Sequence, residues 1–279
     1  MKRIESGRGH MAGFDPKKDI VYEDESILVV NKPAGLAVQT RRVTTDDLES
    51  ALRRYLGGTC SLYVLHRLDQ PVEGLLVFAK TKKAAASLSR QLTDGRMHKV
   101  YRARVDGTIP AEEGTLTDWL IHDARKNVTR VVDERLVRGA RKNVTRVVDE
   151  RLIHDTGKNV TRIVDKNETP ACDTAGTADY ARRSKKPAGG SGSAVRGAKK
   201  AVLTYRKISA DEVEIELQTG RPHQIRAQLA HAGMPIRGDQ KYGHGMNKSK
   251  LYLSACRLSF VHPETGEKKT FAIEPFERG

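Results

Sequence analysis

Residues 63–81, YVLHRLDQPVEGLLVFAKT, set two apolar runs, Leu62 to Leu68 and Leu75 to Lys80, on either side of a segment carrying Pro71 and Gly74. Runs of that length bounded by Pro and Gly predict strand, turn, strand. Asp69 then falls at the end of the first strand, directly behind His66-Arg67-Leu68. An Asp there commonly does no more than bond turn amides. Here Arg67 lies two residues earlier, Pro71 stiffens the exit and both flanks are apolar, so the carboxylate sits at the edge of a dry sheet.

Upstream, DIVYEDESILVVNKPAGLAVQ reads as a short strand, an acidic turn, a second strand from Ile27 to Asn31 and a Pro-Gly turn. TTDDLESALRRYLGG has a Thr/Asp start, apolar Leu48, Leu52, Tyr55 and Leu56 at helical spacing and a Gly57-Gly58 stop, which predicts a short amphipathic helix. Downstream, TKKAAASLSRQLTDG predicts a second helix capped at Thr81 and ended near Gly95, and KVYRARVDG a strand. AVLTYRKIS and DEVEIELQT read as a hairpin, TGRPHQIRAQLAHAGMP as a helix opening at Pro222, and LYLSACRLSFVH and KKTFAIE as two closing strands. Strands at both ends with helices between them predict an α+β fold: a mixed, largely antiparallel sheet with flanking helices.

Three copies of one segment interrupt this pattern at a period of 16: LIHDARKNVTRVVDER (120–135), LVRGARKNVTRVVDER (136–151) and LIHDTGKNVTRIVDKN (152–167). So short a period favours tandem expansion of a strand-turn unit over an independent solenoid. Residues 168–200 follow as a basic, Gly/Ser/Ala/Pro-rich linker, and residues 1–17 read as a polar tail. One domain spanning 18–275 is expected around these interruptions.

Lys plus Arg number 50 against 35 Asp plus Glu, a formal charge of +15 that favours a polyanionic partner. Three distant cysteines suggest neither a disulfide framework nor a paired-thiol metal site, and a reducing cytoplasm fits them. No apolar run approaches the roughly 20 residues of a membrane span. His66, His122, His154, His223, His231 and His244 lack zinc-site spacing, and no dinucleotide or phosphate-loop signature is present, so neither metal nor cofactor is expected.

Arg221 and Arg226, on or beside the helix opening at Pro222, read either as a solvated basic face or as partners for a carboxylate. Tyr101 reads as a strand residue with its hydroxyl at the rim of a core. An Asp is already ionised at neutral pH, since its free pKa is about 3.9; burial raises that value and a nearby Arg lowers it by roughly 1–3 units. An arginine partner would therefore offset desolvation and keep an anionic oxygen available in a cleft.

Taken together, HRLDQPVEGLLVFAKT, KVYRARVDG, TGRPHQIRAQLAHAGMPIRGDQKYG and VYEDESILVVNKPAGLAV resemble the RluA-type family of RNA pseudouridine synthases. The resemblance covers most of 20–118 and 200–275, and leaves 120–200 poorly matched. It implies that Asp69 is the catalytic aspartate, Arg226 its basic partner, and Tyr101 the side chain that packs against the base. It implies that Arg67 enters the RNA stack vacated by the flipped nucleotide. His66, Arg221, His223 and Gln224 are assigned with Arg67 to RNA contact. Many members have Thr-Ser where this chain has Val72-Glu73, so Glu73 is expected to add a negative charge near the site. The implied substrate is structured ribosomal or transfer RNA, handled by a monomer without a cofactor. A non-catalytic RNA-binding or ribosome-assembly protein on the same fold is the alternative; a metal-independent hydrolase using Asp69 with His66 lacks a recognisable triad.

Overall fold

The computed structural model describes residues 13–40, 46–58, 60–134, 137, 197–243 and 250–277. Eleven strands form one sheet: β1 (Ile20–Glu23), β2 (Ile27–Lys32), β3 (Tyr63–Val64), β4 (Glu73–Ala79), β5 (His98–Arg104), β6 (Glu113–Asp123), β7 (Val128–Val132), β8 (Lys199–Lys207), β9 (Glu212–Leu217), β10 (Leu253–Val261) and β11 (Lys268–Ala272). Their order is β1-β2-β4-β10-β5-β9-β8-β6-β7, with β11 also paired to β10 and β3 to β4. Only the β4–β10 pairing is parallel, through Ser254 opposite Glu73 and Ala255 opposite Gly74. The helices α1 (Pro16–Asp19), α2 (Leu48–Tyr55), α3 (Lys82–Thr93) and α4 (Gln224–His231) accompany the sheet. None of these is long and apolar enough to cross a membrane.

β4 shows why its sequence reads as one continuous apolar run. Side chains alternate along a strand, and both faces of β4 are covered. Leu75, Val77 and Ala79 pack with Ala84 and Leu88 of α3 and with Leu258 and Phe260. Leu76 and Phe78 point the other way, into a larger core that takes Leu48 and Leu52 from α2 and Ile225 and Leu229 from α4. The helix ends follow local chemistry: Thr81 accepts from Ala84 N at α3, Asp47 accepts from Ser50 N at α2, and Gly95, at φ 79°, turns the chain after α3.

The structure departs from the sequence expectations in several places. The run expected as a strand from Leu62 to Leu68 pairs only at Tyr63 and Val64. Beyond them the chain leaves the ladder, and the His66 ring takes the place of a backbone partner, its Nε2 3.5 Å from Val77 N. The helix expected from Pro222 begins at Gln224, because His223 adopts a left-handed backbone, φ 52°, before the first helical turn. Residues 13–17 were expected in a tail, yet Phe14 is buried in the main core and Pro16 opens α1. β8 begins at Lys199, inside the expected basic linker. The first repeat copy forms the end of β6, a turn and β7, paired from Trp119–Val132 to Asp123–Val128. The second copy apart from Val137, the third copy, His154 and His244 lie outside the described residues, as does the linker up to residue 196.

Candidate active site

Asp69 stands on a turn closed by Val72 N donating to Asp69 O at 3.0 Å, between β3 and β4. A second loop clamps that turn. Gly35 N donates to Gln70 O and Gln70 Nε2 donates to Gly35 O, both at 2.9 Å. Lys32, at the end of β2 and wholly buried, places its ammonium on Pro33 O, Leu36 O and Gln70 O at 2.8, 2.7 and 3.2 Å. Burial pulls Lys32 down to about 7, while Asp69 and Glu73 act in the opposite direction. Its position explains why an apolar strand, ILVVN, ends in a lysine: Nζ joins the carbonyls of two loops that otherwise meet only through Gly35 and Gln70.

Helix α4 brings the counter-charge. Arg226 directs Nε and Nη2 to the two oxygens of Asp239, both at 2.8 Å, and Nη1 to Asp69 Oδ2 at 3.3 Å. The Arg226 side chain is 6% exposed and that of Asp239 0%, against 27% for Asp69. A planar guanidinium in this setting is fixed by the buried carboxylate and offers its remaining edge to the accessible one. Asp239 further accepts from Lys241 N and Tyr242 N, and the Tyr242 ring lies 5.1 Å from the guanidinium carbon. Asp239 and Asp69 together hold Arg226 above its usual range despite burial.

Tyr101, on β5, is buried, and its phenol is raised well above the tyrosine range, first by burial and then by the Asp69 charge. A phenol so placed keeps its proton at neutral pH and presents a flat neutral ring. The site therefore joins an accessible carboxylate, a fixed cation and a buried aromatic, which are the three residues expected to carry the chemistry.

The residues expected to contact RNA divide. Arg67 is exposed, with no hydrogen bond or ion pair to other described residues, and is free to reach outward. Arg221 is half-buried and donates from Nε to Lys200 O at 3.2 Å. His223 is buried, with Nε2 3.8 Å from Asp69 Oδ2 and Nδ1 2.7 Å from the Tyr242 hydroxyl. Two do not face outward. Gln224 is 2% exposed, and its amide is consumed by Thr219, Arg221 N and Val202 O, so it holds the α4 entry together. The His66 ring is turned inward with Nδ1 buried and unpartnered, and burial brings it down to about 3, which keeps it neutral. Glu73 is likewise buried rather than facing a substrate; it pairs with Lys250 at 2.9 Å and accepts from Phe276 N at 3.0 Å.

Sequence reasoning passed over Lys32, Asp239, Tyr242 and Thr129, whose amide donates to the Tyr242 hydroxyl at 2.7 Å. Asp239 and Tyr242 lie in GDQKYG, within a stretch that carried the resemblance, yet nothing local to that loop points to Arg226 thirteen positions earlier. Among the described residues no group of three or more His, Cys, Asp or Glu could hold a metal ion.

Residues 26–231 match the family model for RNA pseudouridylate synthase. The chain is 30% identical over 287 residues to a ribosomal large subunit pseudouridine synthase D of Zymomonas mobilis, covering 95% of this chain and 71% of that one. It is 29% identical to a dual-specificity RNA pseudouridine synthase RluA of Vibrio vulnificus, covering 90% and 80%. An uncharacterized RNA pseudouridine synthase, YhcT, of Bacillus subtilis matches at 29% identity over 89% of this chain and 66% of the relative. Among solved structures, human RNA pseudouridylate synthase domain containing 4 superposes with a TM-score of 0.62 at 19% identity, over 94% of this chain and 90% of that one. That likeness fixes the fold.

Proposed function

Because the chain belongs to the RNA pseudouridylate synthase family, of the RluA type, we propose that it isomerises uridine to pseudouridine in structured RNA, with Asp69 as the catalytic carboxylate. The reaction breaks the bond between uracil N1 and the sugar, turns the base and joins carbon 5 to the sugar. The proton leaves carbon 5 and N1 regains one, so no oxidant, reductant or net water is required. A carboxylate is needed beside the sugar-base bond, with a cation to hold it and a surface to keep the loosened ring in place.

One observation supports this assignment above the others: the more exposed of the two carboxylates on the Arg226 guanidinium is Asp69, at 3.3 Å. Arg226, locked on Asp239, holds the anion in place without titrating. Tyr101 bears on the uracil. Arg67 fills the stack left by the extruded nucleotide, whose unstacking costs about a few kcal/mol. Ribosomal RNA is the favoured substrate and transfer RNA the second, acted on by a monomer in the cytoplasm.

The test is release of tritium from RNA labelled at uracil carbon 5, in single turnover, for the wild-type chain and Asp69→Asn. Wild type should release tritium and the variant none, with RNA binding retained. Release by Asp69→Asn at the wild-type rate would remove Asp69 from the mechanism. RNA binding without release by the wild type would leave a non-catalytic binder on this fold.

A further inference from the structure

His223 occupies an unusual place in the site. Its backbone is left-handed, φ 52°, a conformation uncommon for a residue with a Cβ. Its ring is boxed edge-on by His122 at 5.6 Å and by Tyr242 at 5.7 Å. The protons of this cluster can be assigned one by one. The Thr129 hydroxyl donates to Pro222 O at 2.8 Å, so its oxygen accepts from His122 Nδ1 at 3.0 Å. Thr129 N donates to the Tyr242 hydroxyl at 2.7 Å. The Tyr242 hydroxyl proton has no other acceptor among the described residues, so it is assigned to His223 Nδ1, 2.7 Å away. With Nδ1 accepting, a neutral His223 carries its hydrogen on Nε2.

That nitrogen faces Asp69 Oδ2 at 3.8 Å, the oxygen that Arg226 reaches at 3.3 Å. Arg226 is thus the one described donor bonded to Oδ2, with the His223 Nε2–H facing the same oxygen from beyond hydrogen-bond length, and no described residue bonds Oδ1. We propose that His223 is a positioning residue for Asp69, its tautomer set through Tyr242 by Thr129 of the β6–β7 hairpin, so that Nε2–H closes from 3.8 Å to a hydrogen bond on Oδ2 when the nucleotide enters and turns Oδ1 toward it. The proposal rests on Asp69 being the catalytic carboxylate. It also gives the first repeat copy a part in the site, since Thr129 and His122 both belong to it.

The groups facing His223 are Asp69 from the β3–β4 turn, Arg226 from α4, Lys241 and Tyr242 from the following loop, and His122 and Thr129 from the hairpin. Burial, with Arg226, Lys241 and His122, brings His223 down to about 4 against the pull of Asp69. The imidazole is therefore neutral where the enzyme works, and a tautomer is defined.

Three variants test this: His223→Leu, which removes the donor; His223→Gln, which keeps an N–H of similar reach; and Tyr242→Phe, which removes only the hydroxyl. Misplacing a reacting group by about an ångström lowers activity by up to roughly 100-fold. His223→Leu should lose that much single-turnover rate at saturating RNA, with RNA affinity unchanged and a near-native urea midpoint. His223→Gln should recover most of the loss. In the wild type, 15N resonances of the ring should show hydrogen on Nε2; Tyr242→Phe should shift the population toward Nδ1–H and slow turnover.

Hydrogen on Nδ1 in the wild type would overturn the proposal, as would a His223→Leu rate equal to wild type. A defect confined to RNA affinity would overturn it too, and make His223 an RNA contact. Turnover by Asp69→Asn, run in parallel, would sink the reading of Asp69 itself while leaving the Nε2–H tautomer intact, so the two failures are distinguishable.

Discussion

Arg226 divides one guanidinium between two carboxylates, and replacing each by Asn should separate structural from chemical work. Asp239 is wholly buried, takes two charge-assisted bonds at 2.8 Å and also accepts from Lys241 N and Tyr242 N. Asn at that position presents one oxygen, and its amide nitrogen would face a donor whichever way it turned. Removing one partner of a buried pair costs about 3–5 kcal/mol. Asp69 is 27% exposed and holds Arg226 by one contact at 3.3 Å, so Asp69→Asn should change stability by about 1 kcal/mol or less. With a urea slope of roughly 2–3 kcal/mol per molar, the midpoint should fall by about 1–2.5 M for Asp239→Asn and by less than about 0.5 M for Asp69→Asn. Activity should rank the other way: Asp69→Asn folded and inert, Asp239→Asn retaining turnover where it remains folded. Equal shifts in midpoint, or a larger one for Asp69→Asn, would refute the division of labour.

Gly74→Ala should be destabilising by at least about 2 kcal/mol. Gly74 has φ 123°, and a Cβ there would lie 2.5 Å from Ala255 N and O; a wild-type urea midpoint would show that β4 and β10 are not held so close. Stability should also fall in acid. His66, at about 3, and His223, at about 4, both sit below the usual 6.5, so the unfolded chain binds protons that the folded one refuses. Their contribution is intact above pH 6.5 and is lost as pH falls toward 4 and 3, by up to about 1.4 kcal/mol per pH unit for each ring. Asp24, held near 2 chiefly by the Ile27 and Ser26 amides against its burial, adds a loss of the same sign at lower pH. Urea midpoints measured from pH 7 to 4 would test this, and a flat profile would contradict it.

Much of the fold was legible because its signals are local. Thr81 and Gly95 bracket α3, and the doubly buried β4 declares itself by an unbroken apolar run. The site is a different matter. Asp69 drew notice from its neighbours, but its pairing with Arg226 came through the family resemblance, since 157 positions separate the two. Lys32 and Thr129 could not be found by any periodicity. One ends an apolar strand and meets Gln70 O across 38 positions; the other is a strand threonine whose amide meets Tyr242 across 113. Where the reading slipped, a side chain had taken over a backbone task. His66 closes the gap beside Val77, and Gln224 ties the entry of α4, and neither duty is visible in residue type alone.

The position of β7 at the rim of the sheet bears on how this gene has grown. Among the described residues its one strand neighbour is β6, and β6 meets β8 on its other side. Duplicating the 16-residue unit after β7 therefore obliges no strand to change partners. The same addition between β3 and β4 would have moved Asp69 away from Arg226. Selection could tolerate copying in the first place and would have removed it in the second.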